Sequence, residues 1–314
     1  MKKKVVVLGG GTGMSSLLKG LKEFPIDITA VVSVCDDGRS TGRLREEFHV
    51  PAMGDIRQVL VSLSETEPLV EQLLNYRFHT TSDLDGHPIG NLLLTAISNM
   101  TGNMSSGVEA LGKVLNLKGR ILPLTDDEVT LVAKMEDGSI IEGEHNITES
   151  DSKIIDVYYK NKPLINQDVV SAIKDCDLVI LSMGSIFTSI IPNLLCPEVV
   201  DALEKTGVPI MYTCNIMTQP GETDNLTVSE HIATINKYLG NRKVDVVVAN
   251  NGKIDKKIAK KYETLEQKDP VLLDEDKLKN IQVISNDYVT IENELLRHDT
   301  ILLSLDIFKY LITK

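Results

Sequence analysis

The sequence predicts an α/β fold built on a mainly parallel sheet covered by helices on both faces. Short runs rich in β-branched residues alternate with stretches of helical spacing along most of the chain. Such alternation implies right-handed βαβ units. The strand-like runs are apolar throughout, as strands buried on both faces must be. With 314 residues, 42% apolar and 25% charged, the chain can bury a large core as one α/β unit.

Residues 3–8 are a Val-rich strand ending in glycines, and residues 15–22 a helix with Leu17, Leu18 and Leu21 on one face. Residues 28–34 are a second strand. Helices are expected at 55–63, 69–76, 91–100 and 108–115. From about 120 to 160 the texture changes. Residues 129–135 alternate, Glu136-Asp137-Gly138-Ser139 follows, and 140–144 is again β-like. An Asp-Gly between two such runs predicts a hairpin, an antiparallel excursion from the main sheet. Strands at 177–181, 209–212, 244–249 and 281–284 then accompany helices at 197–205 and 228–238, and a helix at 298–311 closes the chain. No repeat or long linker divides residues 1–314, which read as one domain.

The net charge of −12 argues against a general nucleic-acid or anionic-membrane binder. No apolar run approaches the ~20 residues of a membrane span. The Met-Lys-Lys-Lys start runs through four apolar residues into glycines, too few for a secretory segment. Cys35, Cys176, Cys196 and Cys214 form no CxxC pair. They read as free thiols in a reducing compartment, and the expected location is the cytoplasm.

The strongest local signal is Val5-Val6-Val7-Leu8-Gly9-Gly10-Gly11-Thr12-Gly13, a strand, a Gly-rich turn and a helix start. Glycines let backbone N–H groups turn inward, and the helix N-terminus favours an anion. Gly10, Gly11, Thr12 and Gly13 are therefore candidate phosphate ligands, against the alternative of a plain tight turn. The dinucleotide fingerprint is not met, since Met14 stands where its third glycine belongs, and no Walker lysine follows. A second loop, Cys35-Asp36-Asp37-Gly38-Arg39-Ser40-Thr41-Gly42-Arg43, follows the second strand and should face the first. Its carboxylates suit a ribose or Mg²⁺ and its guanidiniums suit phosphate.

Gly54-Asp55-Ile56-Arg57 places an acid at a helix start, where simple capping is the alternative. Asp36, Asp37 and Asp55 come close only if their loops meet above the sheet. His87 is either an acid–base group or a hydrogen-bonded loop residue, and Asn91 opens the next helix. Gly184-Ser185-Ile186-Phe187-Thr188 is a second candidate cradle, and Asn215 follows the strand at 209–212. Asp299 reads as the cap of the last helix, leaving Arg297 to reach a ligand. No Ser-His-Asp or H-E-x-x-H constellation occurs, so any chemistry would be phosphoryl-centred.

These motifs, with Ser189-Ile190-Ile191-Pro192-Asn193-Leu194-Leu195, Met217-Thr218-Gln219-Pro220-Gly221-Glu222-Thr223 and Arg297-His298-Asp299, resemble the YvcK/CofD-like family (UPF0052), closest to its gluconeogenesis-factor branch. The set runs in order from residue 9 to residue 299. The resemblance implies a Rossmann-like three-layer α/β/α fold. It also implies a cytoplasmic regulatory protein that binds UDP-sugars, notably UDP-N-acetylglucosamine, and is linked to cell shape and peptidoglycan precursor supply. The other branch is a transferase, the 2-phospho-L-lactate transferase of coenzyme F420 synthesis, which uses Mg²⁺. By position the resemblance puts Thr12 in the phosphate loop, Asn193 at a ligand-side helix start and Arg297 at a diphosphate contact. It aligns Asp37 and Asp55 with metal-binding acids, should the chain be a transferase. The expected ligand set is Gly10, Gly11, Thr12, Gly13, Asp37, Arg43, Asn91, Ser185, Thr188, Asn193, Asn215 and Arg297. A homo-oligomer with regulatory protein partners is expected, and no cofactor is needed for binding. Arg39, Ala52-Met53 and Ser182-Met183 depart from the family pattern.

Overall fold

A computed structural model of the protein describes residues 2–150, 152–292 and 295–313. The chain enters its main sheet through β1 (Lys4–Gly9) and runs outward through β2 (Asp27–Val32) and β3 (Arg120–Pro123). It leaves for a small antiparallel sheet of β4 (Leu131–Met135), β5 (Ile140–Glu142) and β6 (Ile154–Tyr159). It returns on the other side of β1 as β7 (Leu178–Leu181), β8 (Ile210–Thr213), β9 (Val246–Asn250) and β10 (Gln282–Asn286). The order in space is β10-β9-β8-β7-β1-β2-β3, and every neighbouring pair is parallel. Val6 of β1 lies beside Thr29 of β2 and Val179 of β7.

Helices cover this sheet because its central strands are apolar on both faces. β7 and β8 are buried at all positions, and β1 from Val5 onward. Each fully buried Val, Leu or Ile contributes roughly 1.5–3 kcal/mol. The helices of the first half are α1 (Gly11–Leu21), α2 (Arg39–Phe48), α3 (Gly54–Leu63), α4 (Pro68–Asn75), α5 (Ile89–Thr101), α6 (Met104–Val114) and the short α7 (Glu144–Thr148). α1 packs against α3 and the C-terminal helix Thr300–Thr313, while Gln167–Asp175 packs against Pro197–Thr206. The result is the three-layer α/β/α arrangement that the alternation predicts. No single helix among the described residues is long and apolar enough to cross a membrane.

Several segments differ from the sequence expectation, among them the unanticipated helices Gln167–Asp175 and Lys256–Glu266. Arg120–Pro123 is the edge strand of the main sheet, so the antiparallel excursion starts later, at β4. Residues 39–48, read as a loop, form α2; only Leu44 and Phe48 mark an apolar side, so its periodicity is faint. A hairpin of β11 (Val289–Glu292) and β12 (Leu295–His298) precedes the C-terminal helix. That helix docks closely on α1: a Cβ at Gly20 would lie 2.2 Å from the carbonyl oxygen of Thr300. The docking holds β12 over the carboxyl ends of the strands.

Candidate functional site

Strand order reverses between β1 and β7, so the loops leaving these two neighbours diverge. Such a switch point is where open α/β sheets bind ligands. A cleft of about 1710 Å³ opens there. Gly10, Gly11, Thr12 and Gly13 line it. α1 starts at Gly11 with no cap from the Gly10 position, and of its first-turn N–H groups that of Gly11 is taken by Asp55. Thr12 donates from Oγ1 to Gln58 Oε1 at 3.2 Å. Gly13 permits a close approach, since a Cβ there would lie 2.2 Å from the Met183 carbonyl oxygen.

The loop after β7 forms the facing wall. Ser185 Oγ accepts from the N–H of Thr188 at 2.9 Å and from Thr188 Oγ1 at 2.8 Å. It donates to the carboxylate of Glu222, whose oxygens lie 2.6 and 2.8 Å away. Burial pushes the Glu222 carboxyl up to about 7, against the pull of Ser185 and the Phe187 N–H. Asn215 grips the Gly184 peptide at both ends: its Oδ1 accepts from Gly184 N at 2.8 Å and its Nδ2 donates to Gly184 O at 2.7 Å. Ser185, Thr188 and Asn215 line the cleft, but these bonds make them shapers of the loop.

Acids crowd the cleft floor. A Cβ at Gly54 would stand 2.0 Å from Asp36 Oδ2, and one at Gly10 would stand 2.5 Å from Asp55 Oδ2, so the two loops do meet above the sheet. Asp36 accepts from Thr41 Oγ1 at 2.8 Å and from the Gly38 N–H at 2.9 Å. Burial, then the charges of Asp36 and Glu144, push the Asp55 carboxyl up to about 8, although the Gly11 N–H opposes the shift. Burial and Asp36 likewise raise Glu144. Asp37 is not among the residues that line the cleft. Its Oδ1 accepts from the His145 N–H at 2.7 Å, so it is held by the first turn of α7, where free N–H groups attract a carboxylate.

Asn193 is likewise not among the lining residues. It is fully buried beneath the cleft, where its Nδ2 donates to the Ser189 carbonyl at 2.9 Å and approaches that of Gly9 at 3.4 Å. It ties the loops after β1 and β7 together from below.

Arginines occupy the walls. Arg43 binds the carbonyls of Asp83 and Asp85, fixing that loop to α2. Asn91 accepts from Arg57 Nε at 3.0 Å and donates to Ser40 Oγ at 3.2 Å, and Ser40 Oγ lies 2.9 Å from His87 Nδ1. His87 is thus a member of a buried network, and burial lowers its pKa. Arg297 sits on β12 opposite Thr290 and faces the cleft. Asp299 caps the last helix through the Leu302 N–H at 2.9 Å. Its neighbour His298 also lines the cleft, and burial takes its imidazole down to about 4, so it is neutral near pH 7.

The candidate set drawn from the sequence thus reaches the cleft at ten of its twelve ligand positions, Asp37 and Asn193 being the exceptions, and at the metal candidate Asp55. The ligand set drawn from the sequence does not include Asp36, Arg57, Glu144 and Glu222, which also line the cleft. Glu144 lies on the antiparallel excursion and carries no local motif. Arg57 follows Asp55 by two residues on α3, so its segment was visible while its direction was not.

Among the described residues no three His, Cys, Asp or Glu side chains are arranged to hold a metal ion by themselves. Mg²⁺ commonly needs only one or two carboxylates beside substrate phosphates, and the crowded Asp36 and Asp55 suit that demand.

The family model described as 2-phospho-L-lactate transferase CofD matches residues 5–289. A gluconeogenesis factor of Bacillus subtilis is 43% identical over 304 residues, covering 95% of both chains. One from Halalkalibacterium halodurans is 43% identical over 303 residues, 95% of this chain and 93% of the relative. The crystal structure of a UPF0052 protein from Bacillus halodurans superposes with a TM-score of 0.93 at 42% identity, over 98% of this chain and 99% of that one.

Proposed function

The chain belongs to the CofD family (UPF0052), in its gluconeogenesis-factor branch, and from that premise we propose that it is a regulatory protein that binds a UDP-sugar without turning it over. The reading names UDP-N-acetylglucosamine as the ligand and places the protein in the cytoplasm, in the control of peptidoglycan supply and cell shape. One observation carries the anionic class of the ligand. Arg39, Arg43, Arg57, Arg77 and Arg297 all line the cleft, while the arginine ion pairs among the described residues are those of Arg120 and Arg242 elsewhere. An arginine-rich cleft whose guanidiniums have no carboxylate partner among the described residues, above a Gly-rich helix start, favours a phosphate-bearing ligand. Calorimetric titration with UDP-N-acetylglucosamine, GDP and NAD tests the reading; binding of NAD with no binding of the UDP-sugar would defeat it.

Thr12→Ala is expected to weaken UDP-N-acetylglucosamine binding by roughly 1–2 kcal/mol, the scale of one hydrogen bond to a charged group. Arg297→Ala and Arg297→Lys should both lose affinity, because ammonium lacks the planar fork that grips a diphosphate. Melting curves serve as folding controls. Equal affinity in wild type and all three variants would take Thr12 and β12 out of the site.

The acids on the floor favour a second reading, a Mg²⁺-dependent transferase. Asp36 and Asp55 would then hold the ion, which would neutralise phosphate charge. A regulator's UDP-sugar affinity should barely respond to EDTA. A large EDTA effect that Asp36→Ala abolishes would favour the transferase.

A further inference from the structure

Arg57 is a buried cation that forms no ion pair among the described residues. It lies on α3 with 7% of its surface exposed, yet it lines the cleft. Its Nε donates to Asn91 Oδ1 at 3.0 Å, and its Nη1 donates to Asn75 Oδ1. Both acceptors are uncharged amides. A Cβ at Gly90 would lie 2.7 Å from Arg57 Cδ, so the start of α5 clasps the side chain and holds its direction. Asp36 and Asp55 attract Arg57, but Asp36 is held by Thr41 and the Gly38 N–H. Asp55 lies against Gly10, accepts from the Gly11 N–H and forms no ion pair with Arg57. A buried charge left in that state is destabilising unless something pairs with it.

Its cationic neighbours make the deficit larger. Arg77 lines the same wall, and its charge adds to burial in lowering the Arg57 pKa. Arg77 Nη1 donates to the Gly86 carbonyl at 2.8 Å, which leaves Nη2 and Nε for other acceptors. Arg43 and His79 also line the cleft. All four belong to segments that follow β2, whereas Arg297 comes from the hairpin after β10.

We propose that Arg57 and Arg77 form a receptor for a phosphate-class oxyanion, separate from the cradle of Gly10, Gly11, Thr12 and Gly13. Two guanidiniums offer planar forks to tetrahedral oxygens, and a dianion satisfies both where a carboxylate satisfies one. The anion is either free phosphate or the phosphate ester of a metabolite. The proposal stands on this wall alone and goes beyond the UDP-sugar reading.

The test is calorimetric titration of inorganic phosphate into the intact protein, with and without saturating UDP-N-acetylglucosamine, at constant ionic strength. A parallel titration uses a hexose 6-phosphate. Phosphate is expected to bind in both states. Arg77→Gln, a change at an exposed side chain, should weaken it at least tenfold with an unchanged melting curve. Arg57→Lys, which keeps the charge and loses the fork, should also weaken it. Tighter binding of the ester than of phosphate would assign the site to a metabolite, and the reverse to the free anion. Absence of phosphate binding, its loss on adding the UDP-sugar, or an Arg77→Gln affinity within twofold of wild type would each overturn the proposal. Because phosphate is also titrated alone, the result can be read even if the UDP-sugar does not bind.

Discussion

Gly13→Ala is expected to lower both stability and ligand affinity, the largest effect of any single methyl group in the cleft. The added Cβ would lie 2.2 Å from the Met183 carbonyl oxygen, 2.6 Å from its carbon and 2.9 Å from Gly184 N. All three are backbone atoms, so no side chain can swing aside. Gly184 is itself pinned by both ends of the Asn215 amide. The loops after β1 and β7 must therefore separate, against Asn193, which holds them from below. Overpacking of this kind costs about 1–3 kcal/mol, which for a chain of this length corresponds to a loss of roughly 2–5 °C in Tm. The same displacement moves the N–H groups of α1 away from the facing wall, so UDP-N-acetylglucosamine affinity should drop more than tenfold. A variant that melts within 1 °C of wild type, by about the precision of such scans, would show that the two loops do not depend on this contact.

What the sequence revealed follows from which interactions are local. Val5, Val6, Val7 and Leu8 read as a buried strand because both faces of β1 meet helices, and the glycines after them read as a cradle because one short segment carries the whole signal. Asp299 was legible as a cap for the same reason. α2 was not, because its stability comes from contacts beyond itself: Arg45 reaches the Val129 carbonyl, and Arg43 reaches the loop at 83–85. The direction of a side chain is also non-local. Asp36 and Asp37 are adjacent, yet one faces the cleft and the other turns to α7, an element 107 residues later (144 − 37). Asn193 sits within a legible motif, but whether it faces ligand or loop depends on Gly9 and Ser189. The counter-ion deficit at Arg57 needs α4, α5 and the loop after β2 to be placed before it exists at all.

Asp55→Asn is expected to stabilise the unliganded protein at pH 8 and to lose that advantage toward pH 4. The carboxyl rises from an ordinary 3.8 to about 8 on folding, first through burial and then through Asp36 and Glu144. Below pH 4 it is protonated in both the folded and unfolded chain and costs nothing. As pH rises, the unfolded chain releases the proton while the folded chain retains it, so stability falls until the folded group also ionises near pH 8. A shift of that size has a ceiling of about 6 kcal/mol at 1.36 kcal/mol per unit. Because Asp55 borders an open cleft where water screens it, about 2–3 kcal/mol is the expected gain. Asparagine keeps an oxygen to accept the Gly11 N–H, so the local geometry should survive. Glu222, at about 7, contributes in the same direction but is common to both proteins and cancels in the comparison. The measurement is the difference in Tm between variant and wild type at steps from pH 4 to pH 8. It should grow to about 3–5 °C in favour of the variant. A difference that stays flat with pH would mean that Asp55 ionises freely beside Asp36 and Glu144. The cleft floor would then already be fully anionic at neutral pH, and Arg57 would have the partner that its surroundings withhold.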